Sequence, residues 1–150
     1  MALCAALFIS QGPALGSEAP SFQLSTLQGE RVSLKELTRD RHLILIFWST
    51  TCPKCSVTMP RLDKLAAEYD KSELRVLGVN PSRYSTKKSN QSFREEHGIG
   101  FPLALDQEGK VARSYMITGY PTLLLIDPKG LILYRGYGVS ERLRQAMEGI

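Results

Sequence analysis

A chain of 150 residues, 43% hydrophobic and 23% charged, has enough material for one domain with a proper core, and its ordinary apolar share excludes wholesale disorder. The formal net charge is +4, yet Lys87-Lys88 is the only adjacent lysine pair and no basic stripe is interleaved with aromatics, which excludes a nucleic-acid groove of the usual kind. The positive charge reads as scattered, giving at most mild steering toward acidic partner surfaces.

The first residues, Met1 to Ile9, are an apolar run too short to span a bilayer. Ala14-Leu15-Gly16 then places small residues where a signal peptidase reads them, although a basic start is missing. Residues 1–16 therefore read as an export signal or the remnant of a membrane anchor, with a loosely packed N-terminus as the competing reading, and residues 17–150 as the domain. If the segment is removed, Cys4 goes with it, leaving Cys52 and Cys55 of the three cysteines.

Phe22, Leu24 and Leu27 alternate before the turn Gln28-Gly29-Glu30-Arg31, and Val32-Ser33-Leu34 resumes the alternation, which predicts a β-hairpin followed by a helical turn at Lys35 to Thr38. The unbroken apolar run from His42 to Trp48 predicts a central strand covered on both faces. A helix carrying the cysteines follows to about Tyr69-Asp70, with Pro60 expected to kink it. Leu74 to Asn80 predicts a second strand. Thr86 to His97 reads as a polar helix with Phe93 inward, ended by Gly98. Leu103 to Asp106 is a short extended piece, and Gly109 to Met116 a helix with Val111, Ala112, Tyr115 and Met116 on one side. Leu123 to Ile126 and Leu131 to Arg135 pair as a hairpin about Asp127-Pro128-Lys129-Gly130. Ser140 caps a last helix that buries Leu143, Ala146 and Met147. Strands alternating with helices indicate an α/β sandwich.

The chemistry sits at Cys52-Pro53-Lys54-Cys55, where the central strand hands over to its helix. Two cysteines separated by two residues at a helix start can close a small disulfide ring, and the first sulfur lies beside unsatisfied N–H groups of the first turn. Those groups and the helix dipole favour a thiolate over a thiol. Pro53 suits a first turn, where no intrahelical partner for an N–H exists, and Lys54 adds a nearby cation. Cys52 is expected to be the exposed attacking thiolate and Cys55 the buried resolving thiol. Other uses of the pair compete. Zinc takes four ligands, and Cys4, His42 and His97 form no second paired motif. A structural disulfide of so short a span constrains little of the unfolded chain.

Phe47-Trp48 before the cysteine pair, Gly119-Tyr120-Pro121-Thr122 downstream and the Asp127-Pro128-Lys129-Gly130 turn together resemble the thioredoxin superfamily. The N-terminal hairpin and the stretch from Asn80 to Asp106 resemble its exported TlpA/ResA-like branch, and a narrower similarity is to MauD-type disulfide-handling proteins. The resemblance implies a thioredoxin-like three-layer α/β sandwich, a central mixed sheet flanked by helices, with an N-terminal β-hairpin extension. It implies that Pro121 is a cis-proline facing the sulfurs and that the Tyr120 backbone offers a substrate chain a strand-like template. Trp48 would pack beside the motif, in competition with a plain core role. Thr51 stands where the family often has tryptophan, leaving the sulfur more open. Two departures stand out. Thioredoxins carry a carboxylate six residues before the first cysteine, here Ile46, and many exported relatives carry a glutamate three residues after the second, here Thr58.

The resemblance thus implies a thiol:disulfide oxidoreductase needing no cofactor. Its partners would be protein thiols and disulfides together with a membrane or soluble electron donor. A reductase is expected, serving cytochrome c maturation or similar assembly at the bacterial periplasm or the outer face of the inner membrane, with a possible tether through the N-terminus. Two other classes are weighed against it. One is a peroxiredoxin-like thiol peroxidase, with Ser49 near Cys52 but without that family's proline-led motif. The other is a Cu(I)-binding module, supported beyond the two sulfurs only by Met59.

Overall fold

In the computed structural model, which describes residues 13–150, the chain runs β1 (Gln23–Ser25), β2 (Arg31–Ser33), α1 (Leu34–Leu37), β3 (His42–Phe47), α2 (Pro53–Ala66) and β4 (Leu74–Asn80). It continues through α3 (Lys87–His97), β5 (Leu103–Leu105), α4 (Lys110–Ser114), β6 (Thr122–Ile126), β7 (Ile132–Gly136) and α5 (Glu141–Ala146). The residues from Met1 to Gln11 and Gly12, with Cys4 and most of the expected export segment, lie outside the described residues.

Five strands form one mixed sheet in the order β5-β4-β3-β6-β7. β3 pairs in parallel with β4 and antiparallel with β6, so it is hydrogen-bonded on both sides. Successive side chains of a strand point to opposite faces, and both faces here are covered. Ile44, Ile46 and Trp48 join α2, α3 and α5 through Met59, Leu62, Phe93 and Leu143. Leu43, Leu45 and Phe47 point the other way, against Phe22, Leu34, Val111 and Tyr115 of the hairpin, α1 and α4. This is the expected three-layer sandwich, and it explains why the stretch from Leu43 to Trp48 contains no charged or polar aliphatic side chain. Burying each of its apolar aliphatic side chains is worth about 1.5–3 kcal/mol.

Both sheet edges are guarded. The β1–β2 hairpin lies against β5, with Leu27 donating its N–H to Leu103 O at 2.9 Å. Gly16 and Ser17 bond to Ile132 at the start of β7. Such cover removes the open N–H and C=O rows that invite pairing with other chains.

Some sequence expectations need correction. α2 ends at Ala66 rather than near Tyr69, because Glu68 and Tyr69 donate to the carbonyls three residues back and tighten the last turn. α4 stops at Ser114, and Met116 does not face the core. It adopts φ 51°, is 44% exposed, and offers its carbonyl to the Arg135 guanidinium. α3 keeps to its predicted bounds, since Thr86 and Ser89 form a reciprocal cap and Gly98 ends it in the left-handed region at φ 65°.

Gly78 in β4 leaves no room for a side chain beneath its neighbours on the sheet. A Cβ there would lie 2.6 Å from Leu103 Cδ2, 3.1 Å from Trp48 Nε1 and 3.3 Å from Phe101 Cε2. Leu103 and Trp48 are both fully buried and have no free volume to enter. Gly78→Ala is expected to cost about 1–3 kcal/mol through overpacking, read as a lower urea midpoint at unchanged slope. An unchanged midpoint would show that these side chains can yield.

Candidate active site

The site begins where β3 leaves the sheet. Trp48 N–H still donates to Val79 O at 3.1 Å, after which Ser49 and Thr51 build a turn from their hydroxyls. Ser49 Oγ lies 3.1 Å from Thr51 Oγ1 and accepts the Thr51 N–H, while Ser49 O accepts the Cys52 N–H at 3.2 Å. The turn delivers Cys52 in extended conformation as the N-cap of α2, with Pro53 opening the helix. Proline fits there because its missing N–H would have had no intrahelical acceptor.

Cys52 and Cys55 form a disulfide with their Cα atoms 5.3 Å apart. The Cys55 N–H points at Cys52 Sγ, 3.2 Å away. A cap acceptor normally is a serine, threonine or carboxylate oxygen, so a sulfur in this position meets the electropositive end of the helix. The two sulfurs differ in access: Cys55 is fully buried among Trp48, Met59 and Leu62, whereas Cys52 is half-buried at the surface. No acid occupies the first turn of α2.

The other residues singled out from sequence divide into two groups. Thr51, Pro53 and Lys54 are exposed around Cys52. Tyr120 is 41% exposed, Pro121 is buried behind it, and the peptide bond between them is cis. Thr122 pairs with Phe47, which brings this loop to the edge of the sheet from which the cysteine turn departs. Burial, and secondarily the Asp106 carboxylate, push the Tyr120 phenol above its ordinary range. Trp48 is fully buried, tilted against Phe93 with ring centroids 4.6 Å apart, and shares a core cluster with Cys55, so it packs beside the motif from the core side. Ile46 is fully buried and Thr58 half-buried, so neither position supplies a carboxylate.

One cluster was not apparent from sequence. Asn80, at the end of β4, donates to Ser85 Oγ at 2.9 Å and to Asn90 Oδ1 at 3.3 Å, and its own Oδ1 accepts the Ser82 N–H. Asn90 also bonds to Ser85 Oγ and to Thr86 O. Both asparagines are fully buried, so the loop from Pro81 to Thr86 is pinned from within. Its signal in the sequence is an asparagine closing a strand that is apolar apart from the exposed Arg75.

Cys52 lies at the open surface. Cavities of about 850 and 550 Å³ exist elsewhere, and neither is lined by the residues from Ser49 to Cys55. The larger is remote from the cysteines, between the hairpin, Asp40 and the Pro128 turn. Among the described residues no group of three or more His, Cys, Asp or Glu side chains converges, which leaves a zinc or Cu(I) ion with the two sulfurs.

The family model for AhpC/TSA proteins matches residues 15–135. The chain belongs to the AhpC/TSA family. Among its relatives, thioredoxin-like protein YneN of Bacillus subtilis is 36% identical over 136 residues, covering 89% of this chain and 78% of that protein. Thiol-disulfide oxidoreductase ResA of Geobacillus thermodenitrificans is 33% identical over 139 residues, covering 91% and 78%. Among solved structures, the thioredoxin domain of a thiol-disulfide oxidoreductase from Bacteroides vulgatus superposes with a TM-score of 0.79 at 26% identity, covering 90% of this chain and 96% of that one. With its own Cys52–Cys55 disulfide beside these likenesses, the chain is a thioredoxin-like thiol:disulfide oxidoreductase similar to ResA.

Unequal access gives a direct expectation. In the reduced protein a brief pulse of iodoacetamide should label Cys52 first, with Cys55 labelled only through opening of the helix start, as read by peptide mass mapping. Equal labelling of the two would refute the inside–outside arrangement.

Proposed function

We propose that the protein reduces disulfide bonds in partner proteins outside the cytoplasm, with Cys52 attacking and Cys55 resolving. The observation that carries this reading is the half-exposed Cys52 sulfur at a helix N-cap, bonded to a fully buried Cys55. In the reduced state Cys52 thiolate displaces one sulfur of a partner disulfide, forming a mixed disulfide and releasing a partner thiolate that takes up a proton. Cys55 then gives up its proton and attacks Cys52 Sγ. The second partner sulfur leaves, the Cys52–Cys55 bond forms, and two electrons have passed to the partner. A separate thiol donor must reduce the pair for another turnover. With isoleucine at position 46 and threonine at position 58, the Cys55 proton leaves without a carboxylate at either place, through water, by relay over the Thr58 hydroxyl to water, or to a group elsewhere such as the released partner thiolate.

Thr51, Pro53 and Lys54 surround the attacking sulfur, and the Tyr120-Pro121 loop offers backbone to the incoming chain. The open surface suits a protein substrate better than a small one held in a pocket. The assignment outside the cytoplasm rests on the similarity to ResA and on the pattern in residues 1–16, which we assign to export or anchoring. No described helix is long and apolar enough to cross a membrane. Assembly of extracytoplasmic proteins such as c-type cytochromes is the role that this reading favours.

Cys52→Ala should reduce insulin disulfides no faster than the thiol donor alone, whereas Cys55→Ala should accumulate a mixed disulfide visible on a non-reducing gel. Equilibration with a thiol–disulfide buffer fixes direction. A reductase should lie toward the thioredoxin end of the range, about −270 mV, and a value near about −120 mV would make the protein an oxidant.

A further inference from the structure

The chain's fifteen acidic residues are unevenly placed. None falls between Asp40 and Asp63, the stretch that carries the cysteines, and none between Glu73 and Glu95, the stretch that carries β4, the pinned loop and the start of α3. β3 and β4 are parallel neighbours, paired from His42↔Leu74 to Phe47↔Val79, so both acid-free stretches leave the sheet at the same edge. There Arg83, Lys87 and Lys88 are exposed on the β4 side and Lys54 on the sulfur side. The fold thus brings these cations to the end of the sheet at which Cys52 stands, and the acids that the parallel β5 delivers to the same end are engaged, Asp106 buried on the Val111 and Ala112 N–H groups and Glu108 paired with Lys110 at 2.8 Å.

The same loop carries the most exposed large aromatic of the described residues. Tyr84 is 85% exposed, with the Arg83 guanidinium carbon 5.9 Å from its ring centroid. A tyrosine this open gains nothing from the core, yet the loop that presents it is fixed by the buried Asn80, Ser85 and Asn90 network. An ordered loop presenting an aromatic and a cation is a preorganised contact, with little ordering entropy left to lose on binding. Tyrosine and arginine are also the side chains over-represented among residues that dominate interface energies.

We propose that this edge selects its substrates: the Arg83-Tyr84 loop, with Lys87 and Lys88, docks an acidic stretch of polypeptide beside the partner cysteine that Cys52 attacks. The occupant is an extended protein segment carrying aspartate or glutamate near its disulfide, its carboxylates meeting the three cations and its backbone or apolar side chains lying on the Tyr84 ring. The inference rests on the reading of Cys52 and Cys55 as the exchanging pair and adds the class of partner.

The test uses the full chain, reduced and freed of reductant, against three disulfides: a neutral dipyridyl disulfide and two peptides with the same intramolecular disulfide, flanked by aspartates in one and lysines in the other. At low salt the acidic peptide should react at least about tenfold faster than the basic one, the lower end of electrostatic steering. At roughly 1 M salt, where the screening length is about 3 Å, the ratio should fall to about twofold or less. Replacing the three cations together, Arg83→Gln, Lys87→Gln and Lys88→Gln, should bring the low-salt ratio down to about the same level, and Tyr84→Ser should slow both peptides alike. The salt series needs no variant and stands if the triple replacement fails to fold. Equal rates for the two peptides, a preference for the basic one, or a preference untouched by the triple replacement would overturn the inference while leaving disulfide exchange intact. Failure to reduce even the dipyridyl disulfide would overturn both.

Discussion

One sulfur atom does the work of a helix cap. Cys52 Sγ stands where a serine or aspartate oxygen usually accepts a first-turn N–H, and it receives that of Cys55 at 3.2 Å. A thiolate placed there gains from the helix dipole by about 0.3–1 kcal/mol at an exposed site, rising to about 2 kcal/mol where partly buried. Each 1.36 kcal/mol corresponds to about one pKa unit, so the cap alone is large enough to change the ionised fraction severalfold at neutral pH. The rest of the molecule holds this geometry. β3 is locked on both sides, Trp48 and Met59 fill the space behind the sulfurs, and the Ser49–Thr51 turn sets the angle at which α2 begins.

The same construction makes the two cysteines unequal. Cys55 is one helical turn inward and faces the core, closed to solvent, whereas Cys52 is half-exposed. Helix periodicity puts residues three apart on one face and so brings the two sulfurs together, while the asymmetry comes from position, the cap at the surface and Cys55 one turn in. In a reductase, an attacking sulfur that is reachable and a resolving sulfur that is not prevents the partner from being attacked at the wrong step. Neither position at which relatives of this kind keep an acid offers one here.

Much of the fold was legible in the sequence because the patterns involved are local. The apolar run at Leu43 to Phe47, the Thr86 and Gly98 caps and the Asp127 to Gly130 turn each depend on a few neighbouring residues. Met116 was misplaced because a helical period was extended past Ser114, where a left-handed residue reverses the chain and tertiary bonds from Arg135 take over. The cysteine pair was legible as a redox site, yet its surroundings were only partly so. Whether Trp48 faces a groove or the core depends on α3 supplying Phe93, 45 residues away in sequence. The pinned loop likewise depends on Asn80 and Asn90 meeting across Ser85, and the clustering of cations depends on strand order. Charge looked diffuse along the chain because sequence distance and spatial distance diverge wherever parallel strands bring crossovers to one edge.

The central claim is that the helix start holds Cys52 ionised and reachable. Its most direct test is the thiolate ultraviolet absorbance of the Cys55→Ala variant followed against pH, with a Cys52→Ala, Cys55→Ala double variant subtracted to remove tyrosine and Cys4 signals. The account predicts one inflection for Cys52, below the ordinary free-thiol value of about 8.5 and shifted upward when the protein is unfolded in urea. An inflection at or above that value in the folded protein, unchanged by unfolding, would contradict it.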